Sequence, residues 1–249
     1  MTDTIVEARA ADAAPTSTRS LELGILCLVP VYVVGFGITL GVMGHYLPPP
    51  NMVGLSAEQL LSGFYDRYGD QLAYGYVAAA VIGVIYMPWS CLVASKMRNG
   101  DGTLSLLAIM QLAGGLMTTW VVMFCPAIWA ACAVFRNDVP ASVLKMAHAV
   151  GWYFFDITFM VTVVQVASFG LYALSNRDQR MFPRWVGYYS LWECFVMFPL
   201  AVIPWVSSGP FTVGGLFNWW LGAATWLTWF SLISFLILRS IRAGRQLQI

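Results

Sequence analysis

Charge is what this chain has least of. Of its 249 residues only 10% are Asp, Glu, Lys or Arg, while 59% are hydrophobic. A soluble domain carries about 25% charged residues, so this balance excludes a soluble enzyme and a disordered chain alike. The net charge of +1 leaves no basic footprint for nucleic acid. Histidine is scarcer still, with only His45 and His148. Two histidines cannot build the clusters of membrane di-iron or copper oxygenases. No HxxxH or HxxH spacing supports zinc, so no metal is expected. The five cysteines, Cys27, Cys91, Cys125, Cys132 and Cys194, form no CxxC pair and read as small apolar residues. Walker A, GxSxG and HExxH patterns are missing, and the last apolar segment has no lysine to hold retinal. No catalytic motif is recognised and no cofactor is expected.

What is present is six long apolar runs. A membrane-spanning helix needs about 20 such residues, and segments near 22–46, 72–94, 104–127, 147–174, 184–206 and 215–238 qualify. Every backbone polar group in hydrocarbon must be paired within its own segment, and alternating barrel strands are absent, so helices are predicted. The fold class is all-α: a polytopic bundle of six spans occupying residues 21–240. Residues 1–20 read as a disordered polar tail and 241–249 as a cytoplasmic C-terminal tail. The first apolar run is too long for a secretory signal and is expected to remain as an anchor. With the N-terminus inside, ten Lys or Arg fall on the inner side, and only Arg67, Arg136 and Lys145 on the outer side. That bias predicts both termini in the cytoplasm.

The loops are punctuated. Asn99-Gly100-Asp101-Gly102 signals a turn between spans two and three, and Pro183 opens span five. Both connections are short, which makes the flanking spans antiparallel neighbours. The first outer loop starts with Pro48-Pro49-Pro50. Ser56 and Gln59 then take capping-box spacing, and Leu60, Leu61, Phe64, Tyr65 and Tyr68 follow at helical intervals. An amphipathic surface helix over about 56–69 is expected, either a lid over an outward cavity or a connector covering helix ends. Gly37 and Gly41 have the GxxxG spacing that permits close helix approach.

Two charges escape the sorting into loops and ends. Asp156 and Glu193 fall in the middle third of spans four and five, where a charge costs roughly 2.5–3.5 kcal/mol to insert. On sequential antiparallel helices they can share a pocket and a proton, or each can simply hold helices together. Gln111 and Gln165 lie near the depth of Glu193. Thr158, Thr162 and Gln165 form a polar stripe on span four. Asp156 and Gln165, nine residues apart, face opposite sides of that span. Span four therefore meets polar groups on two sides, or Asp156 faces another subunit. Trp120, Trp192, Trp226 and Trp229 are deep enough to cradle an apolar or ring-shaped ligand, or to pack ordinarily.

The motifs Phe182-Pro183-Arg184-Trp185-Val186-Gly187-Tyr188, Ser208-Gly209-Pro210-Phe211, Gly215-Leu216-Phe217, Met87-Pro88-Trp89 and Ala133-Val134-Phe135-Arg136 resemble a pattern in uncharacterised bacterial integral membrane proteins of similar length. The resemblance covers most of the chain after residue 50. It implies six spans in a bacterial cytoplasmic membrane and no particular chemistry. The expected function is a small-solute or proton-linked channel, transporter or transport subunit. Asp156 and Glu193 would be its gating or proton-linked groups, and Gln111, Gln165, Thr158 and Thr162 its polar lining. The alternative is a structural or assembly subunit of a membrane complex, serving an enzyme of apolar substrates. The expected partners are the lipid bilayer and either further copies of the chain or another membrane subunit.

Overall fold

A computed structural model describes residues 16–175 and 181–243. Residues 1–15 of the expected tail and 244–249 of the C-terminal tail lie outside the described residues, as do Arg177 and Arg180; residues 16–20, expected in the polar tail, are helical and lead into the first span, and the last helix runs on to Arg242. Six helices are long and apolar enough to cross a membrane: α1 (Thr18–Met43), α3 (Asp70–Ser95), α4 (Leu106–Val134), α5 (Ala141–Ser175), α6 (Arg184–Trp205) and α7 (Leu216–Arg242). A shorter helical stretch, α2, runs over 57–68 between α1 and α3. Among the described residues there is no strand, only an isolated bridge between Arg98 and Leu104.

The proline positions explain where the helices depart from regular winding. Pro88 lacks an N–H and its ring crowds the carbonyl four residues back, that of Val84. The α-helical winding of α3 is interrupted at 84–85, where Met87 N–H bonds Val84 O at 3.0 Å instead. Pro199 and Pro204 do the same for α6, whose second part, Phe198–Trp205, is wound as a 3₁₀ helix. Pro30 and Pro126 sit inside helices that continue through them. Wide π turns occur at Gly37–Met43, Leu61–Tyr65, Tyr153–Ile157 and Leu216–Leu221.

Packing follows the small residues. A Cβ on Gly114 would stand 2.6 Å from Val161 O, and one on Gly115 would stand 2.5 Å from Ser90 Oγ. Glycine there lets α4 press against both α5 and α3, which suits a medium where dispersion contact rather than water exclusion holds helices together. The expected close approach at Gly37 and Gly41 is absent. Nothing lies within 4 Å of a Gly37 Cβ, and Gly41 is covered by the Leu47 side chain, not by a helix.

Two buried cores result. One gathers Tyr86, Trp89, Phe169, Trp229 and Phe230. The other gathers Tyr46, Tyr65, Tyr76, Trp129 and Trp152 under the surface helix. Ion pairs tie the ends. Lys96 meets Glu22 at 2.5 Å at one end of the bundle, and Arg136 meets Asp70 at 3.0 Å at the other.

The surface helix forms as expected. Ser56 Oγ accepts from Gln59 N–H at 3.1 Å, and Ser56 N–H donates to Gln59 Oε1 at 2.8 Å. Its inward face buries Leu60, Phe64 and Tyr65. The first turns of α5, earlier than the apolar run alone indicates, hold it down: Lys145 Nζ donates to Leu55 O at 2.6 Å.

Candidate functional site

A cavity of about 370 Å³ lies inside the bundle, lined by residues of α1, α4, α5, α6 and α7. Irregular backbone surrounds it. The π turn of α1 contributes Gly37, Leu40 and Gly41, that of α5 contributes Phe155 and Asp156, and that of α7 contributes Asn218, Trp219 and Trp220. Met197 and Leu200 come from the region where α6 changes to 3₁₀ winding. Non-regular backbone at membrane depth is tolerated where it lines a cavity or is buried in protein, and π turns concentrate at functional sites.

Asp156 is the one acidic residue in this lining, and no Lys or Arg joins it. It is 4% exposed and stands near the middle of α5. Its carboxylate has no hydrogen-bond partner among the described residues; the Cys125 thiol on α4 is a titratable neighbour. Thr118 and Thr162 face the same cavity and bond each other at 2.9 Å. Asn218 Nδ2 donates to Phe211 O, and its Oδ1 is buried without a partner.

Glu193 does not line this cavity. It is fully buried on α6, and neither carboxylate oxygen is hydrogen-bonded among the described residues. Thr225 on α7 lies beside it, but the Thr225 hydroxyl donates to Leu221 O at 2.8 Å. Tyr86 and Tyr189 are its aromatic neighbours. Trp226 lines the cavity and stacks on Tyr86 with centroids 5.5 Å apart.

The remaining expected site residues divide. Gln165 is absent from the cavity lining, accepting from Tyr86 OH at 3.0 Å and donating to Ser90 Oγ at 3.4 Å. Gln111 is buried with both amide atoms unpaired. Thr158 lies outside the cavity lining; its hydroxyl closes on Phe154 O of its own helix. Trp229 is packed in the core and donates to Ser190 Oγ at 2.8 Å. Trp120 and Trp192 lie outside the lining too, 44% and 46% exposed on the outer surface of the bundle. Trp226 alone of the four tryptophans meets the cavity. Asn218 and Thr118 were not among the expected site residues. The available signal for Asn218 was a lone amide between Phe217 and Trp219, masked by its closeness to an interfacial aromatic belt.

A second, open cleft of about 570 Å³ lies beneath the surface helix, lined by His45, Gln59, Phe64, Tyr68 and the proline-rich segment. His45 stacks on Tyr68 at 3.5 Å between centroids and contacts Gln71 Nε2 at 3.3 Å. Burial, with the nearby Arg67 guanidinium, holds its imidazole below the usual 6.5. Gly41 and Leu47 border both spaces. The Leu47 side chain rests on the bare Gly41 backbone where the cleft and the cavity share their lining.

No family model matches the chain, and no curated protein or solved structure matches it either, so function is read from the site itself.

Proposed function

We propose that the protein binds and moves a small solute across a bacterial cytoplasmic membrane, as a channel, transporter or transport subunit, with Asp156 and Glu193 as its proton-linked groups. The carrying observation is the Asp156 carboxyl, buried at mid-helix without a partner among the described residues and set in a cavity that shares Leu47 and Gly41 with an open cleft. An acid that merely held helices together would be hydrogen-bonded to them, because an unsatisfied buried polar group costs about 1–3 kcal/mol. Ionisable residues retained inside a span mark solute and proton paths, and sites of this kind form where spanning helices are interrupted. Glu193, unpaired among the described residues and outside the cavity lining, supports a second protonation position rather than a shared pocket.

The test is flux. Purified protein is placed in liposomes containing a pH-sensitive dye, a pH gradient is imposed, and its decay is followed for wild type, Asp156→Asn and Glu193→Gln. Either substitution should slow the decay at least several-fold. If neither alters the flux, the carboxyls have no part in transport.

A further inference from the structure

The chemistry of the cavity narrows its occupant. A carboxylate inside a span is costly unless it is paired, and this one faces about 370 Å³ of space with no cation from the protein on its walls. The other polar side chains of the lining are Thr118 and Thr162, bonded to each other, Asn218, and the indoles of Trp219, Trp220 and Trp226, of which the Trp226 Nε1 is a single buried donor without a partner among the described residues. The remaining surface is largely apolar, and six aromatic rings contribute to it: Phe36, Phe155, Phe159, Trp219, Trp220 and Trp226. Aromatic faces carry negative potential and attract organic cations within about 6 Å. An anion would meet a carboxylate and ring faces, both repulsive. An uncharged lipid tail would fill the apolar walls and leave Asp156 and Asn218 unsatisfied. A small inorganic cation would leave the aromatic walls without a partner.

From this combination we infer that the cavity takes a small aromatic or lipophilic monocation, its ammonium group on Asp156 and its ring among the tryptophans. The volume suits one ring with a short side chain. This rests on the transport reading for the purpose of the site, but the binding itself is tested without any flux.

The probe is radiolabelled phenethylammonium, compared by equilibrium dialysis with neutral 2-phenylethanol and anionic 3-phenylpropionate on detergent-purified full-length protein near neutral pH. Saturable binding of the cation at one site is expected, at least tenfold tighter than either analogue. Asp156→Asn should lose at least tenfold for the cation and leave the alcohol unchanged. Ala223→Phe, which fills the cavity from α7 with Asp156 intact, should abolish cation binding; it serves alone if Asp156→Asn does not elute as a single folded species. The inference is overturned if the alcohol or the anion binds as tightly as the cation, if no saturable cation binding is seen, or if folded Asp156→Asn or Ala223→Phe binds it like wild type. Proton flux without cation binding would overturn the ligand class and leave the transport reading standing. Cation binding without flux would do the reverse.

Discussion

At the scale of single residues, Asp156 and Glu193 stood out in the sequence because charge in an apolar run is rare enough to be seen without any geometry. What faces them was not legible. Trp120 and Trp192 lie as deep in the sequence as Trp226, yet which side of a helix meets lipid is decided by neighbours that arrive from other parts of the chain. The satisfied and unsatisfied polar groups also respond differently to substitution. Glu193 has nothing to lose by becoming apolar: its oxygens are unpaired, and removing an orphaned buried polar group recovers about 1–3 kcal/mol. Glu193→Leu is therefore expected to raise the thermal midpoint of the detergent-solubilised protein while reducing proton flux, the exchange of stability for activity typical of functional positions. An unchanged or lower midpoint means the carboxyl is held by partners after all. His148 behaves oppositely. The Trp152 indole N–H can only donate, so His148 Nε2 accepts it at 3.1 Å and the ring proton sits on Nδ1, 2.7 Å from the Tyr65 hydroxyl. Tyr65→Phe orphans that proton in a fully buried position and should lower stability by about 1–3 kcal/mol, read from chemical denaturation in detergent.

At the scale of elements, the six spans and the capped surface helix followed from hydropathy and from Ser56 and Gln59, because both signals are local. The π turns did not follow. Gly37 and Gly41 suggested a helix contact, whereas the structure uses them to widen α1 and leave room beside it. A glycine pair has the same spacing whether another helix or a cavity lies opposite. Leu47, in the loop that follows α1, is the part most open to a decisive test. It covers Gly41, where an added Cβ would stand 2.8 Å from its Cδ1. Shortening it in Leu47→Ala should open a path between cleft and cavity. A bulkier residue in Gly41→Val pushes on the same side chain without opening a path. With Thr118→Cys placed in the cavity as a reporter, labelling by a water-soluble thiol reagent should run several-fold faster in the Leu47→Ala background and no faster in Gly41→Val. Equal labelling rates in Leu47→Ala and its parent would mean that Leu47 does not separate the two spaces.

At the scale of the whole molecule, the two ends of the bundle differ in charge, and that difference predicts which way the cleft faces. Arg19, Lys96, Arg98, Arg184, Arg239 and Arg242 belong to one end, which the Lys96–Glu22 pair and the Arg19 contact to Ile241 O draw together. Arg67, Arg136 and Lys145 belong to the other, where Arg136 pairs with Asp70 and Lys145 holds the surface helix. Lys and Arg accumulate on the cytoplasmic side of short loops, so the cleft at His45 and the surface helix should open to the outside, and the Asn99–Gly102 turn should face the cytoplasm. Cys27 and Cys91 are exposed on the bundle, so both are first replaced by Ser. Single cysteines at Asp101 and at Asp138 then report the two ends. In intact cells a membrane-impermeant maleimide should label Asp138→Cys at once and Asp101→Cys only after permeabilisation. Asp101 itself accepts from the Thr103 hydroxyl at 2.6 Å and its backbone N–H at 3.0 Å, which hold its carboxyl below the usual range. A parallel Gly100→Cys separates a failed turn from a wrong side. The reverse labelling pattern at both ends would invert the molecule. The cleft would then load from the cytoplasm, and solute would pass Leu47 on its way out of the cell rather than into it.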